Sequence, residues 1–231
     1  MGLILDENEE ASTAKGAARD CVKIDNLARA CAWASSLFSR LDEKTYAAVC
    51  DEASESGAVL LRQNIMPDAN ARRMFEREVL LAGMPLSALP VESLYKPWSA
   101  GEGYGVYASE GLYLGDSARH MQALYAALAI EIPDEFAAMP DHLSLLLDLL
   151  ALFLEAGNTQ AALDLASDHF DWLALYEQAL AERLERVVSV SAFGEDERQS
   201  LASGIVSMRD LVGALDAAIH AWAAQERDAA A

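Results

Sequence analysis

The chain has few cysteines, few histidines and few basic residues. Its three cysteines, Cys21, Cys31 and Cys50, form no Cys-x-x-Cys pair and are accompanied by only four histidines, so we expect free thiols and no zinc site. Seventeen Lys and Arg stand against thirty-seven Asp and Glu, which gives a formal net charge of −20. Such an acidic surface repels nucleic-acid phosphates and anionic lipids and attracts cationic partners. We therefore expect no nucleic-acid ligand.

Long apolar runs and a basic N-terminus are also missing. The sequence opens with M-G-L-I-L-D-E-N-E-E, which is acidic where a secretory signal would be basic. The longest apolar stretch, residues 139–157, is interrupted by Asp148 and is too short to cross a bilayer. We expect a cytoplasmic protein that does not insert into membranes.

The composition predicts an all-α fold. Of the 231 residues, 53% are hydrophobic, and Ala and Leu dominate while β-branched residues are few. Residues 1–20 are small, polar and acidic and are expected to form a flexible tail. Residues 21–231 are expected to form a single globular domain of about ten helices, with residues 130–140, bounded by prolines, as a possible hinge. No repeat of fixed period is present, which argues against a solenoid.

The sequence at 139–157, M-P-D-H-L-S-L-L-L-D-L-L-A-L-F-L-E-A-G, predicts the most buried helix. Its leucines recur at helical spacing, and Leu145, Leu149 and Leu152 extend the apolar surface almost all round. Gly157 is a natural stop, because glycine adopts the left-handed conformation without strain. Asp141 and His142 stand where this helix should begin. They are consistent with a helix cap, with recognition of an arginine-bearing peptide, or with an acid–base pair that lacks an identifiable nucleophile.

Two further motifs have both a packing and a functional interpretation. P-V-E-S-L-Y-K-P-W at 90–98 is either a loop fixed by prolines and aromatic packing or a groove wall with Glu92 for a cation. His169, Trp172 and Tyr176 have the spacing of one helix face, which favours core packing. The G-E-G-Y-G stretch at 101–105 has no Lys-Ser/Thr pair after it, so it is not a phosphate-binding loop.

Three ordered segments together resemble the TorD-like family of redox-enzyme maturation chaperones (TorD, DmsD and NarJ). The first is L-P-V-E-S-L-Y at 89–95, followed by Y-L-G-D-S-A-R at 113–119. The second is P-D-H-L-S-L-L-L-D-L-L-A-L-F-L at 140–154, and the third is D-H-F-D-W-L-A-L-Y at 168–176. The resemblance covers about residues 25–225. Ala138 departs from it, because relatives often carry Glu three residues before the motif Asp.

The resemblance implies a cytoplasmic chaperone and not an enzyme. Such a protein binds the twin-arginine signal peptide, the apo form, or both, of a molybdopterin oxidoreductase subunit and assists cofactor insertion before export. It implies no cofactor or metal of its own, and a monomer with a domain-swapped dimer as the minor state. The alternatives are a hydrolase or nucleotide-dependent enzyme using Asp141 and His142, and a structural helical subunit. The candidate peptide-binding residues are Asp141, His142, Glu92, Ser93, Tyr95, Trp98 and Tyr125.

Overall fold

A computed structural model describes residues 26–56, 66–96 and 114–230. Trp98, the glycine-rich stretch at 101–105 and the expected N-terminal tail lie outside these residues. The all-α prediction is confirmed, although about ten helices were expected and the described ranges contain eight α-helices and two 3₁₀ turns, Glu92–Leu94 and Asp134–Phe136. The helices are α1 (26–37), α2 (Glu43–Ser56), α3 (Ala69–Glu78), α4 (Asp116–Ala127), α5 (Leu143–Glu155), α6 (Thr159–His169), α7 (Leu173–Val187) and α8 (Glu195–Ala230).

Short polar side chains begin several helices, as their positions in the sequence predict. The Asp42 carboxylate accepts a hydrogen bond from the Thr45 N–H at 2.7 Å, and Asp68 and Asn158 are the N-caps of α3 and α6. These oxygens satisfy backbone N–H groups that have no partner within the first helical turn. Gly157 follows α5 with a φ of +67°, which confirms it as the stop of that helix.

The central helix of the core is α5, but it is not buried all round. Leu146, Leu147 and Leu150 are fully buried, as the leucine pattern predicts. Leu152 is 47% exposed and lies one turn after the exposed Asp148, so these two residues form an outward strip. The expectation that Leu152 is buried was therefore wrong, because its side chain faces outward near the end of α5.

The long C-terminal helix α8 forms one wall of the domain. Its 36 residues correspond to a length of about 54 Å, and it packs against α3, α6 and α7. Helix α8 approaches α3 closely at Gly204, where an added Cβ would lie 2.5 Å from the Ala71 carbonyl oxygen. In the part of the chain that the structure describes, no helix combines the length and apolarity needed to span a membrane.

His169, Trp172 and Tyr176 do not share one helix face, contrary to the sequence interpretation. His169 ends α6, Trp172 lies in the connection, and Tyr176 is on α7. All three are nevertheless buried, and the Trp172 indole N–H donates to the His169 carbonyl at 2.8 Å. Core packing of these residues is thus confirmed, and the turn between the two helices brings them together.

Candidate functional site

The segment before the first 3₁₀ turn is fastened to the start of α5 by backbone hydrogen bonds. The Leu143 N–H donates to the Pro90 carbonyl at 2.8 Å, and the Glu92 N–H donates to the Asp141 carbonyl at 3.2 Å. Val91 and His142 lie opposite each other in an isolated antiparallel bridge. The first and second family-like segments, separated by some fifty residues in the chain, therefore form one structural unit.

Asp141 adds a side-chain bond to this unit and is not the helix cap. One of its carboxylate oxygens accepts the Ser93 N–H at 2.7 Å, and Asp141 itself is completely buried. Burial raises the pKa of the Asp141 carboxyl above its ordinary value, and the hydrogen bond from Ser93 opposes that rise. The interpretation of Asp141 as an N-cap was wrong, because its carboxylate is directed to a backbone donor 48 residues earlier.

His142 caps α5 in its place. Its Nδ1 accepts the Ser144 N–H at 3.2 Å, and its ring packs on Phe136 with centroids 4.7 Å apart. Burial lowers the pKa of His142 to about 3. A neutral imidazole is also what the cap requires, since a protonated Nδ1 has no lone pair to accept the bond.

Glu92, the other expected cation ligand, is buried and already paired. Its carboxylate lies 2.7 Å from His169 Nδ1, and the Lys96 ammonium is 3.5 Å from its second oxygen. The other nitrogen of His169 lies 2.8 Å from Nδ1 of the exposed His120. Lys96 also contacts Asp171 at 2.9 Å. These contacts attach the first 3₁₀ turn to α4 and to the connection between α6 and α7.

The expected aromatic residues face the core in the same region. Tyr95 stacks on Trp172 with ring centroids 5.5 Å apart and is tilted against Tyr176 at 5.4 Å. The Tyr125 hydroxyl donates to the Leu145 carbonyl at 3.0 Å. Tyr125 is almost fully buried, so its polar atom stabilises the packing of α4 on α5. Trp98 lies outside the described residues, and its role in a groove wall stays a prediction.

A groove of about 820 Å³ opens beside His142, which is one of its lining residues. It lies between the end of α1, one face of α3 and the second 3₁₀ turn with the residues after it. This volume is in the range of sites that hold a ligand or a short peptide segment. Among the expected site residues of the described chain, His142 is the one that lines this groove. Its apolar lining includes Phe38, Leu41, Leu80, Leu81, Phe136 and Met139.

Charged side chains also line the groove, and sequence reasoning missed them. They are Arg73, Glu76 and Arg77 on α3, Arg40 after α1, and Glu135 in the second 3₁₀ turn. None of the site residues expected from the sequence lies on α3. A signal was present, because positions 73, 77 and 80 recur at helical spacing and so present two cations and a leucine on one face.

No group of three or more His, Cys, Asp or Glu side chains is arranged to hold a metal ion within residues 26–56, 66–96 and 114–230. The hydrogen bonds of Asp141 and His142 go to different backbone donors, Ser93 and Ser144, so these side chains do not act as a pair. What the region offers is an apolar groove with charged edges, which is suited to binding a segment of another protein.

Comparison with known proteins gives a family match for part of the chain. Residues 75–188 match the family model described as nitrate reductase delta subunit, a NarJ/TorD-like group of redox-enzyme maturation chaperones. The match spans about half of the chain and includes α4 to α7, the Asp141–His142 motif and much of the groove. No match was found among curated proteins or among solved structures. The resemblance to the TorD-like family is confirmed over residues 75–188, the part of the chain that matches the nitrate reductase delta subunit model.

Proposed function

We propose that the protein is a cytoplasmic chaperone that binds the catalytic subunit of a molybdopterin oxidoreductase before its cofactor is inserted. It binds the apo form of that client, its twin-arginine signal peptide, or both, and releases the client after maturation. Membership of a maturation-chaperone family supports this proposal. The observation that carries it is the open groove of about 820 Å³ beside the family motif, because a chaperone of this kind needs an accessible apolar surface for an unfolded segment.

We place client recognition in the groove and give the motif residues a supporting role. His142 lines the groove and would contact the client directly. Asp141, Glu92 and Ser93 are buried and joined to backbone or side-chain partners, so they would act by holding the groove wall in place. The exposed carboxylate of Glu135 would be available to an arginine of the client.

Charge and apolar contact would contribute to different steps of binding. The net charge of −20 would raise the rate of encounter with a basic leader. Burial of apolar client side chains against Leu81 and Met139 would slow dissociation. The hydrolase interpretation receives no support from the geometry, since Asp141 and His142 each bond to a different backbone group.

Calorimetry with the full chain and a twin-arginine signal peptide tests this function. We expect binding in the nanomolar-to-micromolar range that weakens as salt is added, because surface charge pairs are screened. A peptide with both arginines replaced by alanine should bind more weakly, and Leu81→Ser should weaken both peptides. Equal binding of the two peptides at all salt concentrations would contradict recognition of the arginines. Failure to bind either peptide or the apo client would contradict the chaperone proposal itself.

A further inference from the structure

Several charges along the groove already have partners inside the protein. The Arg77 guanidinium lies 2.6 Å from the Glu78 carboxylate, and Glu76 lies 3.3 Å from Arg72. These pairs neutralise one cation and one anion of the groove lining. The selectivity of the groove for a charged ligand therefore depends on its other charged side chains, which have no partner among the described residues.

The remaining cations are Arg40 and Arg73. Both are exposed, both line the groove, and neither has a hydrogen-bond or ion-pair partner among the described residues. Arg72, adjacent to Arg73 in the chain, donates to the carbonyls of Leu37 and Ser39 at 2.8 Å each. This buried arginine fastens the start of α3 to the end of α1, so the elements that bear Arg40 and Arg73 are held together.

Two groove arginines that lack a partner among the described residues are unexpected in so acidic a chain. The protein has thirty-seven acidic residues and only seventeen basic ones, so partners for a surface arginine are abundant. Glu135 is the single groove carboxylate without a partner among the described residues. Among the groove residues that the structure describes, the unpaired charges sum to a positive value, which is opposite in sign to the net charge of the whole protein. Guanidinium groups bind carboxylates with charge-assisted and often bidentate hydrogen bonds.

We propose that the groove binds a client segment in which carboxylates flank apolar side chains, and that Arg40 and Arg73 bind those carboxylates. The apolar side chains of the segment lie on Leu81, Phe136 and Met139. This inference rests on the proposed function in one respect, that the occupant comes from the client. It assigns Arg40 and Arg73 to the carboxylates of an acidic, apolar part of the client, whereas an arginine of the leader would lie beside Glu135.

Three synthetic peptides that differ only in their charged positions test the inference. Each has the same amphipathic, leucine-rich frame, and the charged positions carry Glu, Gln or Arg. Fluorescence anisotropy on the full chain should give the order Glu, then Gln, then Arg from tight to weak. The preference for Glu over Gln should be roughly tenfold, because two exposed ion pairs each contribute a modest factor.

A matched pair of variants assigns the preference to the groove. Arg40→Gln combined with Arg73→Gln should abolish the Glu-over-Gln preference and leave binding of the Gln peptide unchanged. The control combines Arg119→Gln with Arg209→Gln, which removes the same formal charge from α4 and α8 outside the groove lining. The control should retain the preference. A thermal midpoint for each variant verifies that the fold is intact.

Several results would overturn the inference. The first is equal affinity for the Glu and Gln peptides. The second is tighter binding of the Arg peptide than of the Glu peptide. The third is absence of binding by all three peptides. A dimer of the wild-type chain that the groove variant dissociates would assign the groove to a second copy instead. Failure of the proposed function would give a different result. If the chain prefers the Glu peptide but binds neither the apo client nor its leader, this inference is supported and the proposed function is contradicted.

Discussion

Replacement of Gly204 by alanine tests the close approach of α3 to α8. A Cβ at this position would meet the Ala71 carbonyl oxygen at 2.5 Å and the Phe75 Cβ at 3.1 Å. The first contact is with backbone, which cannot rotate away as a flexible side chain does. The helices would have to separate, and such overpacking typically costs about 1–3 kcal/mol.

The magnitude follows from two opposing effects. Alanine is favoured over glycine inside a helix by about 0.8–1 kcal/mol, which offsets part of the overpacking cost. We therefore expect a net loss of between about 0 and 2 kcal/mol in the free energy of unfolding. For a domain of this size the upper end corresponds to a fall of roughly 4–8 °C in thermal midpoint.

Gly213 provides a matched control on the same helix. An added Cβ there would meet the carboxylate of Glu177 at 3.2 Å, which is the far end of a flexible side chain. Gly213→Ala should therefore be neutral or stabilising by up to about 1 kcal/mol. Urea denaturation of both variants gives the comparison. If Gly204→Ala stabilises the protein as much as Gly213→Ala does, the close approach of α3 to α8 is refuted.

The other predictions concern the motif and assembly. Asp141→Ala should cost about 1–3 kcal/mol of unfolding free energy, because it leaves the buried Ser93 N–H unpaired. Asp141→Asn keeps an acceptor for this N–H and should cost less. Loss of client affinity in the folded Asn variant would point to direct recognition by the carboxylate. The pKa of His142 is about 3 in the folded protein and 6.5 for a free side chain. Between pH 6.5 and about pH 3 the unfolded chain therefore binds a proton at His142 that the folded chain does not bind. The free energy of unfolding should fall as the pH decreases through this range. His142→Asn retains a cap and should reduce that fall in urea midpoints measured across the window, and an unchanged pH profile would contradict it. Light scattering should detect mostly monomer, and a single dimeric peak down to low micromolar concentration would contradict this.

Local signals made the helix boundaries predictable from the sequence. The Asp42, Asp68 and Asn158 caps depend on atoms two or three residues away, and the stop at Gly157 depends on its own backbone freedom. Contacts between distant parts of the chain had no such signal. Glu92 meets His169 across 77 positions of sequence, and nothing near either residue indicates the pairing.

Competition between a local and a distant partner explains the error at Asp141. Sequence spacing indicated that its carboxylate would cap α5, because Asp is a common N-cap. In the fold, the carboxylate binds the Ser93 N–H, and the next residue, His142, provides the cap. The interpretation was right that this pair of residues has polar roles at the start of α5. It assigned the capping role to the wrong residue.

The positions of the motif and groove residues separate the side chains that support the groove from those that a ligand would contact. Asp141 and Glu92 are buried and hold the first 3₁₀ turn against α5 and α6, so a change at either acts on the shape of the groove wall. Arg40 and Arg73 are exposed and have no hydrogen-bond or ion-pair partner in the part of the chain that the structure describes, so a change at either should leave the shape of the groove intact. We therefore expect substitutions at Arg40 or Arg73 to change ligand preference at unchanged stability, and substitutions at Asp141 or Glu92 to lower stability and ligand affinity together.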